Sequence, residues 1–125
     1  MQTIDVDTLR TWLDVGHAVA VLDVRTAVDR AEWAIPGSLH IGAYAALKAN
    51  DPHALDALDL PGDRPVVTVC GAGKISLVAA EQLRARGFEA YSLAGGMRAW
   101  SLAWNTAEVS SPNATLVQVR RTGKG

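Results

Sequence analysis

Two short valine-rich runs constrain the fold of this chain more than any other feature. Residues 19–24 and residues 65–69 are both mostly apolar. Runs of this length and composition are typical of strands that are buried on both faces of a parallel sheet. Helical patterns lie around and between them, and alternation of strands with helices is the mark of a layered α/β fold. The sequence therefore predicts an α/β protein, a parallel sheet flanked by helices on both faces.

Helical patterns lie before the first run and after the second, and the one after the second is the clearest. Residues 7–13 show an apolar stripe, with Asp7 as the expected N-cap. Residues 76–86 show another, with Ser76 as the expected N-cap and Gly87 as the expected stop. The other predicted elements are a strand over 90–93, a turn at Gly95 and Gly96, a helix over 97–104, and one or two short helices within 42–62.

Composition limits the classes of function. The chain has 125 residues, enough for one domain with a real core. A net charge of −1 gives no electrostatic footprint for nucleic acid or for an anionic membrane. No apolar run approaches the ~18 residues that a spanning helix needs. The single cysteine cannot form an internal disulfide, so a reducing, cytoplasmic location is expected.

The last part of the chain differs from the rest. Residues 110–113 have the composition of a linker, and residues 115–120 alternate as an exposed or edge strand would. We therefore expect residues 1–104 to form one domain and residues 105–125 to be a linker with the possible start of another domain.

The single cysteine, Cys70, closes the second valine-rich run and opens a loop rich in small residues that leads into a helix. Ligands of open α/β sheets bind at the carboxyl ends of strands, and a helix N-terminus offers unpaired N–H groups that stabilise a thiolate or a bound anion. The alternative is an inert core cysteine beside glycines that merely turn the chain. We favour a reactive thiol. The three histidines are scattered, so no metal site is expected.

Asp23 and Arg25, at the end of the first run, share one face of a strand. Arg25 could form an ion pair with Asp29 or Glu32, or it could hold an anionic substrate near the thiol. The structural interpretation is favoured, since most such charges only pair or stay solvated. Lys74, within the cysteine loop, could equally be a solvated side chain or attract anions.

Several segments together resemble the rhodanese-like sulfurtransferase domain over residues 3–104. They are residues 21–25, residues 32–38, the Cys70 loop with its helix, Gly87 with Phe88, and residues 93–100. The resemblance implies a parallel sheet flanked by helices and a cysteine that carries sulfane sulfur as a persulfide. Cys70 would bear the persulfide and pass the sulfur to a thiophilic acceptor or a neighbouring domain, without a cofactor. The substrate-binding residues implied or considered are Gly71, Ala72, Gly73, Lys74, Ile75, Ser76 and Arg25.

The cysteine loop departs from the family pattern at Ile75, where many members carry arginine or threonine, so weaker binding or an altered preference among donors is expected. Its Cys-Gly-Ala-Gly opening is similar to that of mercaptopyruvate sulfurtransferases. The sequence leaves the small sulfur donor open among thiosulfate, 3-mercaptopyruvate and a persulfide.

Two other functions compete with this one. A cysteine phosphatase would need an arginine six residues after Cys70, where the chain has Ser76. A non-catalytic or regulatory rhodanese-like module in a larger chain is the other, although such modules usually lack the cysteine. Residues 117–125 resemble the start of the metallo-β-lactamase-fold domain in fused rhodanese–persulfide dioxygenase-like proteins, so such a C-terminal domain is a possible partner.

The segment after the predicted domain generates a first prediction. Deleting residues 106–125 should leave the melting temperature and sulfur transfer nearly unchanged, because a strand without a partner adds little stability. Calorimetry and a sulfur-transfer assay on the shortened chain measure both. Loss of the folded state would show that this segment is integral to the domain.

Overall fold

The computed structural model describes residues 2–109, with side chains up to residue 103. Within that part of the chain a five-stranded parallel sheet has the strand order β1-β5-β4-β2-β3. The elements are β1 (Thr3–Ile4), α1 (Val6–Asp14), β2 (Ala20–Asp23), α2 (Ala27–Glu32), β3 (Leu39–His40), α3 (Tyr44–Lys48), β4 (Val66–Val69), α4 (Ile75–Ala85), β5 (Ala90–Leu93) and α5 (Gly96–Val109).

The two valine-rich runs form the centre of the sheet, as predicted. β2 and β4 pair from Ala20 with Val66 to Asp23 with Val69. All eight residues of the two strands are buried, because each strand has a neighbour on both sides and helices over both faces. The edge strands β1 and β3 were not predicted, since two residues are too few to show a periodic pattern.

Helices cover both faces of the sheet, as predicted. Successive residues of a strand point to opposite faces, so Val66 and Val67 enter different cores. Val66 packs in a cluster with residues of α3 and α4, such as Leu83. Val67 packs in a second cluster with residues of α1 and α5, such as Leu9 and Trp100. Burying each large side chain of this kind contributes roughly 1.5–3 kcal/mol.

The predicted start of α1 and the predicted end of α5 were wrong. α1 begins at Val6, and its N-cap is Asp5, whose carboxylate accepts the Thr8 N–H at 2.8 Å, so Asp7 does not cap it. Val6, the first residue of the helix, is buried in the core. α5 continues to Val109, past the predicted end at residue 104, so a deletion from residue 106 also removes its last turn.

Three further expectations concern residues 42–62, residues 115–120 and membrane-spanning helices. Within residues 42–62 the structure has one short helix, α3, in line with the prediction. The predicted strand over residues 115–120 lies outside the described residues. No helix of residues 2–109 combines the length and the apolar character needed to cross a bilayer.

A buried ion pair lies at the carboxyl end of β2. The Arg25 guanidinium bonds the Asp23 carboxylate with Nη2 to Oδ2 at 2.8 Å and Nε to Oδ1 at 3.0 Å. Arg30 approaches the same carboxylate at 3.4 Å. The expected pairing of Arg25 with Asp29 or Glu32 was therefore wrong. Both of those carboxylates lie on the exposed side of α2, whereas Asp23 shares the strand face of Arg25.

The network also sets the ionisation of Asp23. Burial raises the pKa of this carboxyl, but the hydrogen bonds and positive charges of Arg25 and Arg30 outweigh burial and hold it below the ordinary value of 3.8. A lowered pKa in the folded state means that the carboxylate stabilises the fold above pH 3.8, and that this stabilisation is lost as the pH falls through the folded-state value.

Asp23→Asn should lower the free energy of unfolding at pH 7 by about 3–5 kcal/mol, because it leaves a buried guanidinium without its carboxylate. The difference from the unchanged protein should shrink below pH 3.8, where Asp23 itself becomes protonated. Urea unfolding at several pH values measures both effects.

Asp63→Asn is the matched control, since it removes an exposed pair with Arg64 and should leave the melting temperature almost unchanged. Equal effects of Asp23→Asn and Asp63→Asn at pH 7 would contradict a stabilising role of the buried pair.

Candidate active site

Cys70 follows β4 directly. The loop 71–74 then leads from Cys70 into α4. Its side chain is buried, with 2% of the residue exposed. The sulfur accepts N–H groups from Gly73 at 3.2 Å and from Ser76 at 3.3 Å. The loop thus directs two backbone donors at the one thiol of the chain, the arrangement that stabilises negative charge on sulfur.

The sulfur also takes the place of a capping side chain for α4. The residue at the N-cap position is Lys74, whose side chain makes no capping hydrogen bond. Ser76 is the second residue of the helix, and its N–H is bonded to the Cys70 sulfur. The prediction that Ser76 caps this helix was therefore wrong: its hydroxyl is buried and turned toward the thiol.

Two buried hydroxyl groups lie behind the thiol. The Cys70 S–H donates to Ser76 Oγ at 3.4 Å, and Ser76 Oγ lies 2.7 Å from Ser92 Oγ. Thr68, on β4, donates its hydroxyl to the Ser76 carbonyl at 2.6 Å and so anchors the start of α4. Ser92 was missed as a site residue. Its signal in the sequence is a single serine inside the otherwise apolar or aromatic run 90–93.

The N-terminus of α5 supports the cysteine loop from the other side. The Met97 N–H donates to the Cys70 carbonyl at 2.8 Å, and the Arg98 N–H donates to the Gly71 carbonyl at 3.0 Å. The cysteine loop therefore caps α5 with its own carbonyl groups. Gly96 has φ +58°, and a Cβ there would lie 2.3 Å from the Cys70 carbonyl oxygen. The predicted turn at Gly95 and Gly96 thus also sets the position of the site.

The remaining predicted site residues differ in their exposure and in their contacts. Gly71, Ala72 and Lys74 are exposed at the rim of the loop. Ile75 is partly buried, and its side chain packs against the core between α3, α4 and the sheet. Arg25 is directed at Asp23 and at the carbonyl of Trp33, and no hydrogen bond described within residues 2–109 joins it to Cys70. These contacts agree with the structural interpretation of Arg25.

This arrangement suits a nucleophilic thiol that is stabilised by neutral hydrogen-bonding groups. The groups that hydrogen-bond the sulfur are two backbone N–H groups and the Ser76 hydroxyl, and Gly71 and Ala72 are exposed on the same loop. Within residues 2–109 no group of three or more His, Cys, Asp or Glu side chains is placed to hold a metal ion.

Comparison with known proteins agrees with this geometry. The family model of the rhodanese-like domain matches residues 5–103. The chain belongs to the rhodanese-like domain family.

Relatives with similar sequences are named as sulfurtransferases. The tRNA sulfurtransferase of Desulfurococcus amylolyticus is 39% identical over 62% of this chain, and the probable adenylyltransferase/sulfurtransferase MoeZ of Mycobacterium tuberculosis is 38% identical over 79%. This chain spans only 14% and 24% of those two proteins. The putative sulfurtransferase YtwF of Bacillus subtilis, 27% identical over 80% of this chain, is covered over 90% of its own length.

Solved structures show the same fold. A rhodanese-like domain protein from Staphylococcus aureus superposes with a TM-score of 0.66 at 30% identity, covering 80% of this chain and 91% of that one. The human single-domain sulfurtransferase TSTD1 gives a TM-score of 0.63 at 30% identity, covering 80% of this chain and 95% of its own.

Gly96→Ala should lower the free energy of unfolding by at least about 2 kcal/mol more than Gly87→Ala does, because it adds a backbone clash to a strained φ. Gly87 is the matched control: its φ is +95°, but a Cβ there meets nothing within 4 Å. Urea unfolding of both variants measures the difference. Equal losses would mean that the contact between the cysteine loop and the start of α5 is not tight.

Proposed function

We propose that this protein is a sulfurtransferase that carries sulfane sulfur as a persulfide on Cys70 and passes it to a thiophilic acceptor. The observation that carries the proposal is the pair of N–H groups, from Gly73 and Ser76, directed at the sulfur of a buried cysteine at the end of a central strand. Membership of the rhodanese-like family and the names of the relatives support it.

The first half of the reaction loads sulfur onto the protein. With thiosulfate as donor, the Cys70 thiolate attacks the sulfane sulfur. A new S–S bond forms, the S–S bond of thiosulfate breaks, and sulfite leaves with the electron pair. The N–H groups of Gly73 and Ser76 favour the thiolate that attacks, since hydrogen bonds to a charged group are stronger than those to a neutral one.

The second half delivers the sulfur. A nucleophilic acceptor attacks the outer sulfur of the persulfide, its bond to that sulfur forms, and the S–S bond breaks. The electron pair returns to the Cys70 sulfur, which becomes a thiolate again. The charge that develops there meets the same two N–H groups, which are already in position and need no reorganisation.

The remaining amide groups of the loop are assigned to the outer sulfur. Gly73 and Ser76 already donate to the inner sulfur, so the N–H groups of Gly71, Ala72, Lys74 and Ile75 are the ones proposed to surround its terminal neighbour. The exposed ammonium of Lys74 can attract an anionic donor to the rim. A substrate contact by Arg25 stays a prediction, since its charge is already paired with Asp23.

The acceptor is proposed as a class rather than a molecule. It is a thiophilic small molecule or a neighbouring domain, such as the metallo-β-lactamase-fold domain suggested by residues 117–125. The free thiol is suited to a reducing compartment, so a cytoplasmic location forms part of the proposal.

Incubation with thiosulfate or mercaptopyruvate should add one sulfur atom to the intact mass, and a reductant should remove it. Cys70→Ser should show no gain, because no second thiol exists in the chain. Cys70→Ala serves as the second control, since it lacks both the thiol and the hydroxyl group that Cys70→Ser introduces. Transfer of sulfur to cyanide by either variant would overturn the mechanism.

A further inference from the structure

The hydroxyl pair behind the thiol has no evident structural duty. Ser76 and Ser92 are both fully buried. Their hydroxyl groups bond each other, and the Ser76 hydroxyl also bonds the Cys70 sulfur. By contrast, the Thr68 hydroxyl donates to two backbone carbonyl groups, of Ser76 and Tyr91, and so satisfies the main chain. Replacing both members of a buried hydrogen-bonded pair with apolar groups of the same shape can be nearly neutral for stability, so the contact of this pair with the sulfur points to a role in the chemistry.

We propose that the Ser76 hydroxyl is a switchable hydrogen-bond donor to the Cys70 sulfur in catalysis, and that Ser92 is the positioning residue that lets it switch. This inference rests on the proposed sulfur transfer and adds a residue role to it. Ser76 touches the reacting atom, whereas Ser92 acts through Ser76.

The proton positions follow from counting donors. In the thiol, the Cys70 S–H donates to Ser76 Oγ, and the one hydroxyl proton of Ser76 is free to point to Ser92. In the thiolate, the sulfur has no proton to give, so the Ser76 hydroxyl proton turns to the sulfur. Ser92 then donates to Ser76 Oγ across the same 2.7 Å contact. Two hydroxyl rotations make the change, and no heavy atom has to move.

The switch matters most when sulfur is delivered. During delivery, negative charge grows on the Cys70 sulfur as the S–S bond breaks, and the Ser76 hydroxyl becomes a third donor beside the N–H groups of Gly73 and Ser76. A better stabilised thiolate is a better leaving group. In loading, the same thiolate is the attacking group, and stabilisation lowers its nucleophilicity. The hydroxyl should therefore speed delivery without speeding the attack of an already ionised thiol.

The test separates the two half-reactions. Loading is followed by the gain of one sulfur from thiosulfate in rapidly quenched samples, on the high-pH plateau where ionisation no longer limits the rate. Delivery is followed by thiocyanate formation when the desalted persulfide form meets excess cyanide. Ser76→Ala should slow delivery about tenfold, the loss expected for one hydrogen bond to a charged group. Its loading rate should stay the same or rise.

Ser92→Ala tests the relay independently, because it keeps the Ser76 hydroxyl and removes only the group that donates to it in the thiolate state. It should lower the ratio of delivery rate to loading rate, as Ser76→Ala does, but by a smaller factor. This variant stands as a test by itself if Ser76→Ala does not fold.

Thr68→Val is the matched control, since it removes a buried hydroxyl from the neighbouring strand that does not touch the sulfur. It should lower the melting temperature without changing the ratio of the two rates. The hydroxyl proposal is overturned if Ser76→Ala and Ser92→Ala leave that ratio unchanged, or if Thr68→Val lowers it equally. A failure of the unchanged protein to gain sulfur would instead overturn the proposed function itself.

Discussion

Cys70 joins two helices and the sheet through different atoms of one residue. Its sulfur accepts the Ser76 N–H at the start of α4, and its carbonyl oxygen accepts the Met97 N–H at the start of α5. One N–H group at the start of each helix is thereby satisfied by the residue that follows β4. The reactive atom is held by contacts that the fold needs in any case, so its geometry depends on the packing of both helices.

The polar groups at the carboxyl edge of the sheet are charged at β2 and neutral around the thiol at β4 and β5. At β2, the Asp23 carboxylate is paired with two guanidinium groups, those of Arg25 and Arg30, and these pairs tie the strand end to α2 and the following loop. At β4 and β5, the polar groups around the thiol are neutral amides and hydroxyl groups. Neutral donors stabilise a sulfur anion without a counter-ion that would compete for it.

The candidate site could be located from the sequence, but its inner contacts could not. A cysteine after a buried strand and before a helix falls at the carboxyl edge in any parallel sheet, so Cys70 and its loop were predictable. The partner of Arg25 and the cap of α4 were predicted wrongly, because each depends on which neighbour lies closest in three dimensions. Ser92 was missed, since its contact with Ser76 joins positions far apart in the chain.

The sequence by itself determined the central strands, the helices on both faces of the sheet and the position of the one thiol. These features follow from local apolar patterns and from the alternation of strands and helices along the chain. Only the tertiary structure decided that Ser76 turns its hydroxyl inward, that Gly96 must lack a side chain and that Arg25 belongs to Asp23. Those choices depend on distances of a few ångströms between separate elements. Local sequence patterns do not encode such distances, because packing sets them.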